Sequence, residues 1–300
     1  MIYVGTSGWS YPAGEGRWEG VFCPKGKDFD HLEYYARYFR AVEVNSSFYK
    51  PIYPNVAKGW VKKTPEGFRF TAKLYQKFTH PKMFEEATGK LAQLDPQDFD
   101  TFRAGLEPLA ESGKLGALLA QFPPSFKHDE ESVTYLEDLI RRFDDYPMAV
   151  ELRHRSWSDN PDSFRLLEGY GVAWCVIDEP KFRTSVGEVP LTSELGYFRF
   201  HGRNAKEWWS GDRETRYNYL YSPRELRTLT AEVRGVAERT TDSYVFYNNH
   251  YGAKAVVNAL QMRMELHQPI PNQLPEPLIE HYPELIELEA GIAEQGSEAT

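Results

Sequence analysis

Pro147-Met148-Ala149-Val150-Glu151-Leu152-Arg153-His154-Arg155-Ser156-Trp157 begins as an apolar run and ends as a cluster of charges. In a strand successive side chains point to opposite faces, so Val150 and Leu152 share one face while Glu151 and Arg153 share the other. A carboxylate and a guanidinium directed into a protein interior are costly unless they are paired or face a polar cavity. A strand that carries an active site reads this way. The same alternation recurs in Val42-Glu43-Val44-Asn45, Ala72-Lys73-Leu74 and Phe198-Arg199-Phe200-His201.

Working outward, the chain alternates strand-like and helix-like segments. Strands are expected at Ile2–Ser7, Ala41–Phe48, Phe68–Tyr75, Leu115–Phe122, the organising stretch, Val172–Asp178, Tyr197–His201 and Ser243–Asn248. Helices are expected from Asp30, over Val56–Lys63, from the N-cap Asp95 with Pro96 at the first helical position, over Asp129–Phe143, from Asn160-Pro161, from the capping box Ser222-Pro223-Arg224-Glu225, and through Ala253, Val256, Val257, Leu260 and Met264. Gln76–Leu94 reads as a polar loop. Roughly eight strands separated by helices, without a break in composition, predict a single (β/α)8 TIM-type barrel with long βα loops. An open doubly wound sheet would carry a glycine fingerprint after its first strand, and Gly5-Thr6-Ser7-Gly8 does not match one. The barrel is assigned to residues 1–268, and the Pro- and Glu-containing segment 269–300 is expected to pack outside it before fraying.

Hydrophobic residues at 41%, charged residues at 26% and a mean hydropathy of -0.59 describe a globular chain without a membrane partner. Met1 leads at once into Ile2-Tyr3-Val4-Gly5, without the charged and apolar regions of a secretory signal, so a cytoplasmic location is the expectation. A net charge of -9 disfavours nonspecific attraction to nucleic acid while leaving room for a local basic pocket. Cys175, in an apolar strand-like run, reads as a small buried hydrophobe, and Cys23 as a loop thiol.

Active sites in such barrels lie at the C-terminal strand ends, so the polar residues at each exit are the candidates. They are Thr6, Ser7 and Trp9; Glu43 and Asn45; Lys73 and Tyr75; Gln121; Glu151, Arg153 and His154; Asp178; His201 and Arg203; and Asn248, Asn249 and His250. Glu43, Glu151 and His201 are the expected catalytic acids and bases. Trp9, Asn45, Lys73, Gln121, Arg153, Arg203, Asn248, Asn249 and His250 are the expected substrate-binding residues. The competing reading makes Glu43 and Glu151 buried partners of Lys73 and Arg153. A barrel site being wet, Glu151 and Arg153 are expected to line an open polar pocket, so that Glu151→Gln costs about 1 kcal/mol or less and alters affinity for phosphate or sulfate, whereas a structural pair would cost roughly 3 kcal/mol or more. Gly202, beside His201, is expected to let a ligand approach the backbone.

No His-x-x-x-His or Asp-x-His ligand spacing occurs, and Lys73, Arg153 and Arg203 would repel a cation, so no metal or other cofactor is expected. These cations suit a phosphate, phosphodiester or carboxylate instead. Gly-x-Ser-x-Gly is also absent. The loop Arg203–Tyr221, with Trp208, Trp209, Arg213, Arg216, Tyr217, Tyr219 and Tyr221, interleaves aromatics with arginines, as base- or sugar-stacking surfaces do. A packed lid is the alternative.

Gly5-Thr6-Ser7-Gly8-Trp9, Val42–Tyr49, Phe78-Thr79-His80-Pro81, Gln121–Phe126, Val150–Trp157, Phe200-His201-Gly202-Arg203 and Tyr247-Asn248-Asn249-His250 together resemble the DUF72 (YecE-like) family, over Ile2 to about His267. Phe122 stands where a leucine is usual in the family's Gln-x-Pro-Pro motif. The resemblance implies a TIM barrel and, the family having no established activity, no catalytic residue. From the residues, the expectation is an enzyme, a hydrolase or isomerase, acting on a small anionic ligand or phosphoester by general acid–base chemistry. A noncatalytic binder of nucleotides or single-stranded nucleic acid is one alternative, and a metal-dependent hydrolase or isomerase another. Nothing in the sequence specifies an oligomeric state.

Overall fold

The computed structural model describes residues 1–26, 29–208, 215–270 and 273–286. Its strands are β1 (Ile2–Ser7), β2 (Ala41–Val44), β3 (Arg69–Lys73), β4 (Leu115–Gln121), β5 (Met148–Glu151), β6 (Ala173–Trp174), β7 (Val176–Asp178), β8 (Leu195–Phe200) and β9 (Asp242–Tyr247). All pairings are parallel, in the order β6-β5-β4-β3-β2-β1-β9-β8-β7. The ends of this order, β6 and β7, belong to one segment, so the sheet curls into a (β/α)8 barrel. That segment was expected as one strand, Val172–Asp178. It changes partner at Cys175: Ala173–Trp174 pair with β5 and Val176–Asp178 pair with β8.

Parallel strands covered on both faces are apolar nearly throughout. Val42, Val44, Leu118, Leu119, Val150 and Val245 are all buried. The helices begin where the cap residues require. Asp30 accepts from the Leu32 and Glu33 amides, and Asp95 and Ser222 each close a capping box. Asp129 and Asn160 cap helices Glu130–Arg141 and Pro161–Gly169.

Two expected boundaries are corrected. The second strand stops at Val44 rather than reaching Phe48, because Asn45 turns to helical φ/ψ and Ser46–Tyr49 forms a short helix. Ser47 Oγ ties that helix across the strand ends, donating to Val44 O at 2.8 Å and Lys73 O at 2.7 Å. Gln76–Leu94 is not simply loop but carries helices Gln76–Thr79 and Pro81–Thr88, the second started by Pro81 and closed by Gly89 at φ 66°. Beyond the last barrel helix, Lys254–Glu265, the short helix Glu276–His281 packs with Leu274, Leu278 and Leu285 buried. Residues 287–300, including the Gln295–Thr300 stretch expected to fray, lie outside the described residues.

Candidate functional site

Ser7, Glu43 and Thr71 stand in register across β1, β2 and β3. Opposite them, Tyr197 and Arg199 share the inward parity of β8. Arg199 is the centre of the arrangement. Its Nε and Nη2 lie 2.9 and 2.8 Å from the two Glu43 oxygens, and its Nη1 lies 2.5 Å from Glu151 Oε2. Glu43 also accepts from Ser7 Oγ and Tyr197 O–H, each at 2.8 Å, and Tyr197 O–H meets Thr71 Oγ1 at 2.9 Å. Glu151 accepts from Arg153 Nε at 2.6 Å, and Gln121 Oε1 lies 3.4 Å from Arg199 Nη1.

Neither carboxylate is exposed, and the Arg199 side chain is 2% exposed. Burial alone would raise both carboxyl pKa values. For Glu43 the Arg199 guanidinium, with Ser7 and Tyr197, more than reverses this, and for Glu151 Arg153 and Arg199 hold the carboxyl well below its ordinary range. Both are therefore carboxylates whose lone pairs are already engaged. Among the described residues no three His, Cys, Asp or Glu side chains gather as metal ligands.

Beside this closed network stand three further ionisable groups, of which Lys73 has neither a side-chain hydrogen bond nor an ion pair among the described residues. Lys73, at the end of β3, holds Nζ 4.0 Å over the Phe48 ring and is in no ion pair. Burial first and then the Arg199 guanidinium lower its pKa to about 7, while Glu151 and Glu43 act in the opposite sense. His80 packs edge-on against the same Phe48 ring at 5.0 Å and is itself lowered to about 3, by burial and then by Lys73 and Arg153. Glu179, one residue past β7, is 6% exposed; its Oε2 has no hydrogen-bond partner and lies 3.7 Å from Arg153 Nη1. Burial raises its carboxyl pKa despite Arg153.

His201 is fully buried. Nδ1 lies 3.0 Å from the Asn248 side-chain amide, and Nε2 lies 3.2 Å from Arg153 Nη2. A guanidinium only donates, so Nε2 accepts from Arg153 Nη2, while Nδ1 faces Asn248 Nδ2. Burial first, with the two arginines opposing Glu151, lowers His201 to about 4, so the imidazole is neutral at neutral pH. Over it lie the rings of Trp208 at 6.4 Å and Tyr217 at 6.3 Å, and Tyr217 continues to His250 at 5.1 Å, which stacks on Tyr11 at 4.2 Å. The Tyr11 hydroxyl donates to Ser7 O.

The tertiary structure thus brings Glu43, Lys73, Gln121, Glu151, Arg153, His201 and Asn248 to one centre, with His250 reaching it through Tyr217, while Asn45 turns the chain from β2 into helix Ser46–Tyr49. Arg203 is not there. It forks onto Asp178 at 2.9 and 2.6 Å and onto Glu225 at 3.1 Å, a partly exposed clamp that ties β7 to helix Pro223–Ala237. Asn249 is spent on Tyr219 O and Asn258 Oδ1, each at 2.8 Å, and Trp9 packs edge-on against Trp60 at 5.2 Å. Gly202 does not leave room for a ligand: it stands at φ +87°, and a Cβ there would lie 2.6 Å from Tyr219 Cβ. Of the Arg203–Tyr221 loop, Trp208 and Tyr221 are buried rather than displayed, Tyr221 O–H donating to Asp178 at 2.7 Å. Trp209 and Arg213 lie outside the described residues.

Arg199, Glu179, Phe48 and His80 were missed as site residues. Arg199 was legible, since it stands two positions before His201 on one strand and so faces the same way. Glu179 follows Asp178 immediately, but nothing in the sequence says which of two adjacent acids turns toward Arg153.

The model of the family described as "Protein of unknown function DUF72" matches residues 3–279. UPF0759 protein YunF of Bacillus subtilis (strain 168) is 33% identical over 275 residues, covering 87% of this chain and 93% of that protein. The crystal structure of a DUF72 family protein from Thermotoga maritima MSB8 superposes with a TM-score of 0.76 at 38% identity, covering 89% of this chain and 100% of that one. One from Enterococcus faecalis V583 superposes with a TM-score of 0.77 at 30% identity, covering 92% and 100%.

Proposed function

The chain belongs to the DUF72 family, and from the site it carries we propose that it is a cytoplasmic enzyme acting on a small anionic substrate, a phosphoester or carboxylate, by general acid–base chemistry at the C-terminal face of the barrel. One observation carries this reading: Lys73 and Glu179, with their pKa values moved in the directions that neutralise them, flank a guanidinium–carboxylate network in which every other charge is engaged. Titratable groups driven away from their ordinary values in a partly closed site mark acid–base work.

Lys73 as a neutral amine serves as the base, and Glu179, whose carboxyl burial shifts toward its protonated form, serves as the acid. Arg153, 12% exposed and unshared with Glu43, faces the substrate anion and stabilises charge that develops on it. Glu43 and Glu151, first expected as bases, hold Arg199 and Arg153 in place, since their lone pairs are filled by donors. His201, first expected as an acid or base, orients Arg153 through Nε2. The buried placement of Trp208 and Tyr221 favours a lid over a base-stacking platform. No helix among the described residues is long and apolar enough to cross a membrane.

The test is turnover of a panel of phosphomonoesters, phosphodiesters and carboxylic esters, with divalent metal added and with it chelated. Lys73→Met and Glu179→Gln should each lower turnover by about 10²–10⁴-fold in a folded protein. Turnover that survives both substitutions would overturn the assignment. Oligonucleotide binding that weakens steeply with salt and yields no product would move the function to nucleic-acid binding.

A further inference from the structure

At the opposite, N-terminal end of the barrel, a cavity of about 580 Å³ opens between the start of β1, the turn before β2 and the start of β3. Arg37, Arg40, Arg69 and Arg263 line it, and among the described residues no Asp or Glu does. In a chain of net charge -9, this is a local excess of positive charge that folding has gathered from distant positions.

Arg263 is the telling member. It is 7% exposed, on the buried face of helix Lys254–Glu265, and its guanidinium donates to the backbone oxygens of Tyr38 and Pro269. Those two acceptors leave donors over, and no carboxylate pairs with it among the described residues. Burial lowers its pKa to about 10, and Arg40 opposes its charge. A buried guanidinium without a counter-ion, beside further arginines, is costly unless an anion completes it. Arg69 and Arg37 likewise have no carboxylate partner among the described residues, and rest against the rings of Tyr3 and Tyr34 at 5.7 Å each.

We propose that this cavity is an anion-binding site for a phosphate group, free or carried by a small molecule, separate from the site at the C-terminal face. Guanidinium groups bind phosphate through charge-assisted hydrogen bonds, and the volume falls within the range of small-molecule sites. Ile2, Phe39 and Ile270 in the wall give room for an uncharged portion of a phosphomonoester.

The experiment is calorimetric titration of the full chain with inorganic phosphate and, separately, with glycerol 3-phosphate. Binding should fall about tenfold in Arg40→Ala and again in Arg37→Ala, both exposed positions whose loss leaves the fold intact. Any binding that survives both variants unchanged belongs to the C-terminal face and not to this cavity. Arg263→Met should abolish binding if it folds, and the two exposed variants decide the matter if it does not. Tighter binding of the ester identifies a carried phosphate, and equal binding a free one. Absence of binding of either ligand at millimolar concentration, or affinity in Arg40→Ala equal to that of the unsubstituted protein, would overturn the proposal.

Discussion

Arg199 Nη1 lies 2.5 Å from Glu151 Oε2, with the guanidinium 2% and the carboxylate 0% exposed. The pair is closed to water, and its geometry decides between the two stability outcomes stated for Glu151. Glu151→Gln leaves Arg199 and Arg153 short of one buried negative charge, so it should destabilise the protein by about 3–5 kcal/mol in urea titration. A loss of about 1 kcal/mol or less would mean that solvent shares the charge.

Acid should act through the same pair. The folded-state pKa values of Glu43 and Glu151 lie below the ordinary 4.5, so the stability they contribute is present above that value and is lost as pH falls through the folded values. Thermal melts below pH 4.5 should therefore show a steep fall that Glu43→Gln flattens, because the variant has already lost the contribution. An unaltered slope in the variant would contradict the ion-pair assignment.

Lys73 sets a second pH window with the opposite location. Its folded pKa of about 7 lies below the ordinary 10.5, so between these values the unfolded chain binds a proton that the folded chain does not. Stability should rise with pH across that window, and the rise should disappear in Lys73→Met. Parallel melts of the two proteins from neutral to alkaline pH measure it. Parallel curves would show that the amine titrates normally.

Glu179 should behave unlike Glu151 although both are buried. Its raised pKa means that the folded protein keeps a proton that the unfolded chain has lost, so the group opposes folding as pH rises from 4.5 through the folded value. Glu179→Gln should accordingly stay within about 1 kcal/mol of the unsubstituted protein at neutral pH. A cost as large as that of Glu151→Gln would make Glu179 a structural partner of Arg153.

For His201, imidazole nitrogen resonances should remain those of one neutral tautomer as pH is lowered through 6.5, titrating only toward about 4. Midpoint behaviour near 6.5 would show that the ring is charged and open to solvent.

How much of this was legible follows from what each signal depends on. Strand and helix positions come from local periodicity and capping, and Ile2–Ser7, the Asp95 N-cap and the Ser222 capping box stand where the sequence places them. Glu43, Lys73, Glu151, Arg153 and His201 were found because a polar residue of fixed parity at a strand exit must face the barrel interior. Parity cannot separate residues just beyond a strand end, where the backbone turns, and Arg203, Asn249 and Gly202 were misjudged there. Sequence alone therefore determined the barrel and the list of charges facing its axis, since alternation and spacing are local properties of the chain. Only the tertiary structure decided which charges neutralise one another: Arg199 takes both Glu43 and Glu151, from strands that sequence order keeps far apart, and among the described residues this leaves Lys73 without an ion pair and Glu179 with only a 3.7 Å approach to Arg153. Ion pairing depends on distances of a few ångströms across a closed ring, and the ring has no such distances until it closes.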